Sequence, residues 1–189
     1  MVMPVIPEAR RYSVVEVLEF PRDGNRYEVV DGELLVTPAP RGRHQVLVAR
    51  LMGWLLGYLQ GLGLRDSVLC APADITWGIR PQEAHDLVQP DVFVRDPDQP
   101  FHDWIDITRL ELAVEVLSPS STRADRVVKR RAYQRHGVPT YWVIDDDARL
   151  VEVWKPQDLR PEIVTEVLGW RFRDVASELE IPLEELFAE

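Results

Sequence analysis

Residues 110–117 read LELAVEVL, and SPSST follows at 118–122. The run is apolar at every position except Glu111 and Glu115. A strand that is apolar on both faces belongs in the middle of a sheet, where both faces are covered. Glu115 then sits where a bare carboxylate costs several kcal/mol unless something compensates it. A metal ion is one compensation, and a buried basic partner is the other.

Downstream, SPSST reads as a turn, with its serines as turn and cap residues. The pairing of Thr122 with Asp125 resembles a capping box, which predicts a helix over 122–136 ended by Gly137. YWVID (141–145) and LVEVW (150–154) read as two strands. The tail adds a strand near 162–168 and a helix near 183–187.

Upstream, LVQPDVFV (87–94) predicts a strand over Asp91–Arg95 with Pro90 at its entry. Neighbouring strands lie about 5 Å apart. Asp91 and Glu115 on one face could therefore share a divalent ion such as Mg²⁺, which needs only one or two carboxylates. An Asp at a strand entry is also an ordinary turn former. The 122–136 helix places Thr122, Arg126, Lys129 and Tyr133 on one face. Its Lys129 could reach the two acids, or the whole helix could be a solvated basic face that holds phosphates through Arg123, Arg126 and Arg130.

Further upstream, RYEVVDGELLVT (26–37) is a hairpin turning at Asp31-Gly32. Residues 43–60 form a long helix with Leu47, Leu51, Leu55 and Leu59 at i+4 spacing. A strand is expected over Ser67–Ile75, and a short helix opened by Ser13 over 12–20. The order is helix, strand, strand, strand, helix, strand, with extra β elements at both ends. This is an α/β fold, read as one domain over 1–189.

The 189-residue chain is 46% hydrophobic and 29% charged, which excludes disorder, collagen and disulfide-scaffold classes. Its single cysteine, Cys70, excludes an internal bridge or a cysteine-rich metal site. GxSxG, Walker, GxGxxG and HExxH motifs are absent, and His85, His102 and His136 lack metal-ligand spacing. The six tryptophans read as packing residues rather than base-stacking platforms. The N-terminal MVMPVIPEARRYS has no apolar h-region. The apolar stretch near Val46–Leu59 is interrupted by Arg50 and too short to span a bilayer. A cytoplasmic protein without a membrane anchor is the expectation. The net charge of −10 argues against broad attraction to nucleic acid. Residues 122–136 nevertheless carry six bases against one acid.

QPDV (89–92), VEVLSPSS (114–121), Asp125, Lys129, Tyr133 and GVPTYWVID (137–145) together resemble the bacterial Uma-two family of restriction-endonuclease-like proteins. That family lies within the PD-(D/E)XK nuclease superfamily. YEVVDGEL (27–34) and PAPRGRHQ (38–45) extend the likeness, which covers about residues 27–154. Residues 1–26 then form an N-terminal extension and 155–189 a C-terminal strand and helix. The resemblance implies a restriction-endonuclease-like αβββαβ core, with a mixed sheet flanked by helices and an extra N-terminal hairpin. It implies Asp91 and Glu115 as the motif acids. The superfamily lysine two residues after the second acid is replaced by Leu117, and Lys129 is the migrated substitute. Family position also draws in Glu33 as a further carboxylate and His44 as an auxiliary base or phosphate contact.

The leading expectation is a Mg²⁺- or Mn²⁺-dependent endonuclease acting on nucleic acid, with DNA favoured. Asp91, Glu115 and the Val116 carbonyl hold the ion, and Lys129 orients a water or offsets charge. Replacing either acid by alanine is expected to leave the fold intact. A homodimer suits cleavage of both strands. Two other readings stand beside it. One is a catalytically inactive nuclease-fold module that binds nucleic acid or protein, which the net charge and the displaced lysine favour. The other is a metal-free hydrolase with a carboxylate pair of the glycosidase kind.

Overall fold

The structure, a computed structural model, describes residues 10–189. Most of the segment read for a secretory signal lies outside these residues.

Ser13 accepts from the Glu16 N–H, and Glu16 reaches back to Ser13, so a capping box opens α1 (Val14–Leu18). Strands β1 (Arg26–Val30) and β2 (Glu33–Thr37) form the expected hairpin. Its two turn residues, Asp31 and Gly32, have φ of 47° and 79°, the left-handed pair that the favoured two-residue turn requires. The short β4 (Asp86–Leu87) adds to β1, so the hairpin belongs to its own three-stranded sheet.

Helix α2 (Gly42–Gly61) follows the leucine periodicity, and Leu47, Leu51, Leu55 and Leu59 are fully buried. Each contributes roughly 2 kcal/mol by removal from water. The helix covers one face of a six-stranded sheet. That sheet contains β3 (Val68–Cys70), β5 (Val92–Arg95), β6 (Leu110–Val116), β7 (Tyr141–Asp145), β8 (Leu150–Trp154) and β9 (Glu162–Val164), in the order β3-β5-β6-β7-β8-β9. Only β6 and β7 are parallel among these neighbours. β6 is interior, as its two apolar faces required.

Alternation assigns the two faces. Val92, Val94, Leu112, Val114, Trp142 and Ile144 pack into the cluster that contains the α2 leucines. Phe93, Ala113, Tyr141 and Val143 face the opposite way, towards Val128, Ala132 and Tyr133. These last three residues lie on a helical run made of a π-helical segment, Ala124–Lys129, continuous with α3 (Arg130–Arg135). The succession α2, β3, β5, β6, helix, β7 is the expected αβββαβ core with a mixed sheet.

Three local expectations are corrected. The strand after α2 stops at Cys70, because Pro72 cannot donate to a ladder; Ile75 makes only an isolated bridge to Val88. The single strand expected near 162–168 is two. β9 edges the main sheet, while β10 (Val167–Trp170) pairs with β11 (Leu179–Pro182). This hairpin brings Leu168, Trp170, Leu179 and Ile181 into the α2 core, and α4 (Leu183–Leu186) closes it. Finally, Thr122 does not cap through Asp125. The Thr122 hydroxyl donates to the Ser118 carbonyl, and Asp125 turns inward.

Candidate active site

Three strand ends meet at one edge of the main sheet. β5 begins there, and β6 and β7 end there. The antiparallel register sets Val92 opposite Val114, so Asp91, one residue outside β5, comes level with the last residues of β6. The Val116 N–H donates to Asp91 Oδ2 at 2.8 Å. Glu115 has the parity of Ala113 and therefore points to the helix side, away from the α2 leucines.

Glu115 is 1% exposed. Its Oε1 accepts from the Tyr133 hydroxyl at 2.8 Å and from Lys129 Nζ at 3.0 Å. The compensating group is thus the buried lysine of the following helix. Lys129 is also buried, so the solvated-face reading of this residue fails. Its ammonium lies 2.9 Å from Glu28 Oε2 and 3.4 Å from Asp125 Oδ1. Asp125 and Lys129 both sit in the π-helical segment, a rare geometry concentrated at functional sites.

Asp91 is bound on both oxygens. Oδ1 accepts from Arg26 Nη1 at 2.9 Å, and Oδ2 lies 3.0 Å from His44 Nε2. Burial alone would raise its pKa. The His44 hydrogen bond and the charges of Arg26, His44 and Lys129 outweigh that and hold it at about 2. Glu115 behaves oppositely. Burial, reinforced by Asp125, Asp91 and Glu28, carries its pKa well above the usual carboxylate range despite Lys129. Asp125 is raised for the same first reason. Burial disfavours the Lys129 ammonium, but Glu115, Glu28 and Asp125 more than restore it, so the lysine stays charged.

Both acids are paired, so, contrary to the expectation drawn from the sequence, a cost in stability is expected for alanine at Asp91. Its removal strips Arg26 and the Val116 N–H of their partner.

The sequence reading overlooked Arg26 and Glu28. Both have one parity on β1, while Tyr27 and Val29 pack against α1 and its neighbours. Two charges on one side of a strand whose other side is apolar was the available signal. Glu28 Oε1 is anchored by the Gln89 N–H at 2.6 Å.

Glu33 is not brought to this centre. It sits at the turn end of β2, across from Val30, where it forms an exposed ion pair with Arg123. Of the helix arginines offered for phosphate contact, Arg126 is held by Asp145 and Glu152 at 2.6 Å each. Arg130 stacks on Trp154 and bonds Gln134. All three basic side chains are therefore engaged within the protein.

The centre floors a cleft of about 800 Å³. Its walls are the Pro38–Arg41 connection into α2, the Ser118–Thr122 turn and the Asp145–Ala148 turn. Glu28, Asp91, Glu115 and Asp125 are each at most 3% exposed, yet only Lys129 and Arg26 face them as permanent cations. Four ionised carboxylates against these two permanent cations would leave two negative charges over. Glu28 Oε2 and Asp125 Oδ1 are buried and accept no well-aligned hydrogen bond, although the Lys129 ammonium lies 2.9 and 3.4 Å from them. Among the described residues no three His, Cys, Asp or Glu side chains form a ready-made metal centre. The donor set is nevertheless one that fits a hard divalent ion, with carboxylate oxygens and an unbalanced charge of two.

This arrangement of sheet and helices defines a restriction-endonuclease-like α/β protein. The chain matches the family Uma2, described as "Putative restriction endonuclease", over residues 14–184, and it belongs to that family. It is similar in fold to the crystal structure of a nuclease, itself titled putative, belonging to DUF820 from Anabaena variabilis. The TM-score is 0.72 at 19% identity, covering 94% of this chain and 98% of that one. No curated protein matches the chain. Among the described residues, no helix is long and apolar enough to cross a membrane.

Proposed function

We propose that the protein is a metal-dependent endonuclease that hydrolyses phosphodiester bonds of nucleic acid, with DNA the leading substrate. The observation that carries this reading is the surplus of buried carboxylate around Lys129 at the floor of an open cleft. Asp91 and Glu115, with the Val116 carbonyl, are the residues that would hold Mg²⁺ or Mn²⁺. When bound, such an ion lowers the pKa of a water and stabilises charge on the transferring phosphoryl group.

The chain's own residues have separable tasks. Arg26, His44 and the Val116 N–H fix the Asp91 carboxylate in orientation and keep it ionised. Tyr133 fixes Glu115 by donating to the oxygen that also meets Lys129. Lys129, charged and held by three carboxylates, keeps an ammonium beside the position where charge develops. His44 lines the cleft and is the nearest candidate for a phosphate contact or auxiliary base. Glu33 acts at a distance by holding Arg123, and Arg126 and Arg130 shape the wall.

Calorimetric titration with Mn²⁺ tests the reading. Wild type should show saturable binding and metal-dependent cleavage, and Glu115→Gln should lose both. A wild-type protein that takes up no divalent ion overturns it.

A second reading is a nuclease-fold binding module without catalysis. The full engagement of both Asp91 oxygens and the internal neutralisation of Glu115 by Lys129 favour it. Its mark is nucleic-acid binding indifferent to Mg²⁺.

A further inference from the structure

The cleft that holds the proposed centre also constrains what can enter it. Its volume of about 800 Å³ is that of a small-ligand pocket, a class spanning roughly 300–1,000 Å³. Asp91, Glu115 and Lys129 at its floor are 3%, 1% and 2% exposed. Duplex DNA is a stiff rod with its phosphates on the outside, and it resists local bending over lengths far greater than this cleft. Bringing a duplex phosphate down to residues this buried would require the helix to bend, kink or open. An unpaired strand has no such stiffness.

Charge leads to the same place. A duplex presents one negative charge per about 1.7 Å, and proteins that grip it neutralise many phosphates with free bases. The arginines of this cleft are mostly spent. Arg26 is on Asp91 at 2.9 Å, Arg43 on Asp146 at 2.7 Å, and Arg126 on Asp145 and Glu152 at 2.6 Å. Arg41 is exposed at the mouth and pairs with no carboxylate among the described residues. It directly precedes α2, whose start has no side-chain cap. One open cation and a few backbone N–H groups suit one or two phosphates rather than a long track.

We infer that the substrate is single-stranded nucleic acid, an unpaired end or segment whose backbone enters the cleft past Arg41, and that intact duplex is excluded. The inference rests on the nuclease reading for the role of the floor residues, but its own content is the strandedness of what binds. No Phe, Tyr or Trp side chain lines the cleft, so recognition is of the phosphate backbone, without the base stacking on such rings that sequence-tolerant strand binders often add.

The test uses the full-length protein and fluorescein-labelled 30-mers: a single strand, the blunt duplex, and a duplex with a ten-nucleotide overhang. Anisotropy in Ca²⁺ reads binding, and gels in Mn²⁺ read cleavage. The single strand should bind at least tenfold tighter than the blunt duplex, with cuts confined to the overhang. The salt dependence should be shallow, about −0.7 in log–log slope per phosphate contacted. Arg41→Glu should weaken single-strand binding about tenfold and reduce that slope, with Mn²⁺ uptake unchanged. Equal or tighter binding of blunt duplex overturns the inference while leaving the nuclease reading standing. Mn²⁺ uptake without binding of any oligonucleotide also overturns it. Single-strand binding with no cleavage and no Mn²⁺ uptake supports the inference and removes the nuclease reading.

Discussion

Lys129 Nζ lies 3.0 Å from Glu115 Oε1, and both side chains are at most 3% exposed. The acid comes from the central strand and the ammonium from the helix that follows it. The same nitrogen faces Glu28 and Asp125 from two further directions. One lysine thus holds the hairpin sheet, the main sheet and the helix around a single charge.

That arrangement makes Lys129 more important to stability than a surface base would be. Lys129→Met should destabilise the protein by about 3–5 kcal/mol, because it leaves buried carboxylates without a counter-ion. Urea denaturation measures this. Adding Glu115→Gln to Lys129→Met should recover part of the loss, since one uncompensated charge is then removed. A loss below about 1 kcal/mol for Lys129→Met would mean that the carboxylates protonate at no penalty.

Stability should also respond to pH through these groups. Glu115 and Asp125 bind protons more tightly folded than unfolded. Their contribution is complete below their ordinary values of 4.5 and 3.8, and it is lost as pH rises towards the raised folded values. Asp91 works in the other sense. Its contribution is present above 3.8 and lost as pH falls through about 2. Melting temperature followed from pH 5 to pH 8 should decline in wild type more steeply than in Glu115→Gln. Parallel curves would show that Glu115 does not carry the effect.

Arg26→Ala and Asp91→Ala should both destabilise, with Arg26→Ala the worse. Asp91 loses a guanidinium it meets at 2.9 Å but stays buried, and an unpaired buried charge costs about 3–5 kcal/mol. Arg26 is partly exposed and can turn to water when Asp91 is absent. Comparing the two unfolding free energies with the double variant isolates the pair.

Metal should stabilise the folded chain by mass action. Mn²⁺ at about a hundred times its dissociation constant adds about 2.7 kcal/mol if it binds only the native state. Differential scanning calorimetry should show the rise in wild type and none in Glu115→Gln. An equal rise in the variant would place the ion elsewhere.

The hairpin turn offers a test remote from the site. Gly32 has φ of 79°, and a Cβ there would come within 2.9 Å of the Arg11 side chain. Gly32→Ala should cost about 1 kcal/mol or more from backbone conformation alone, read as a lowered denaturation midpoint.

Periodicity and punctuation are local properties, and they determined the main elements of the core, though not the extent of the strand after α2 or the split of the strand near 162–168. The i+4 leucines of α2, the Asp31-Gly32 turn, the box at Ser13 and the unbroken apolar run around Glu115 each specify a conformation through neighbours a few residues apart. The position of Glu115 also showed, before any packing was known, that a buried charge needed an answer. Which answer was chosen is a matter of the assembled fold. Arg26, Glu28, Asp91, Glu115, Asp125 and Lys129 lie on four separate segments, and electrostatics in a dry interior depends on distance in space rather than along the chain. Tertiary packing alone therefore decided that Lys129 is buried, that Glu28 and not Glu33 joins it, and that the basic helix spends Arg123 and Arg126 on the protein's own acids.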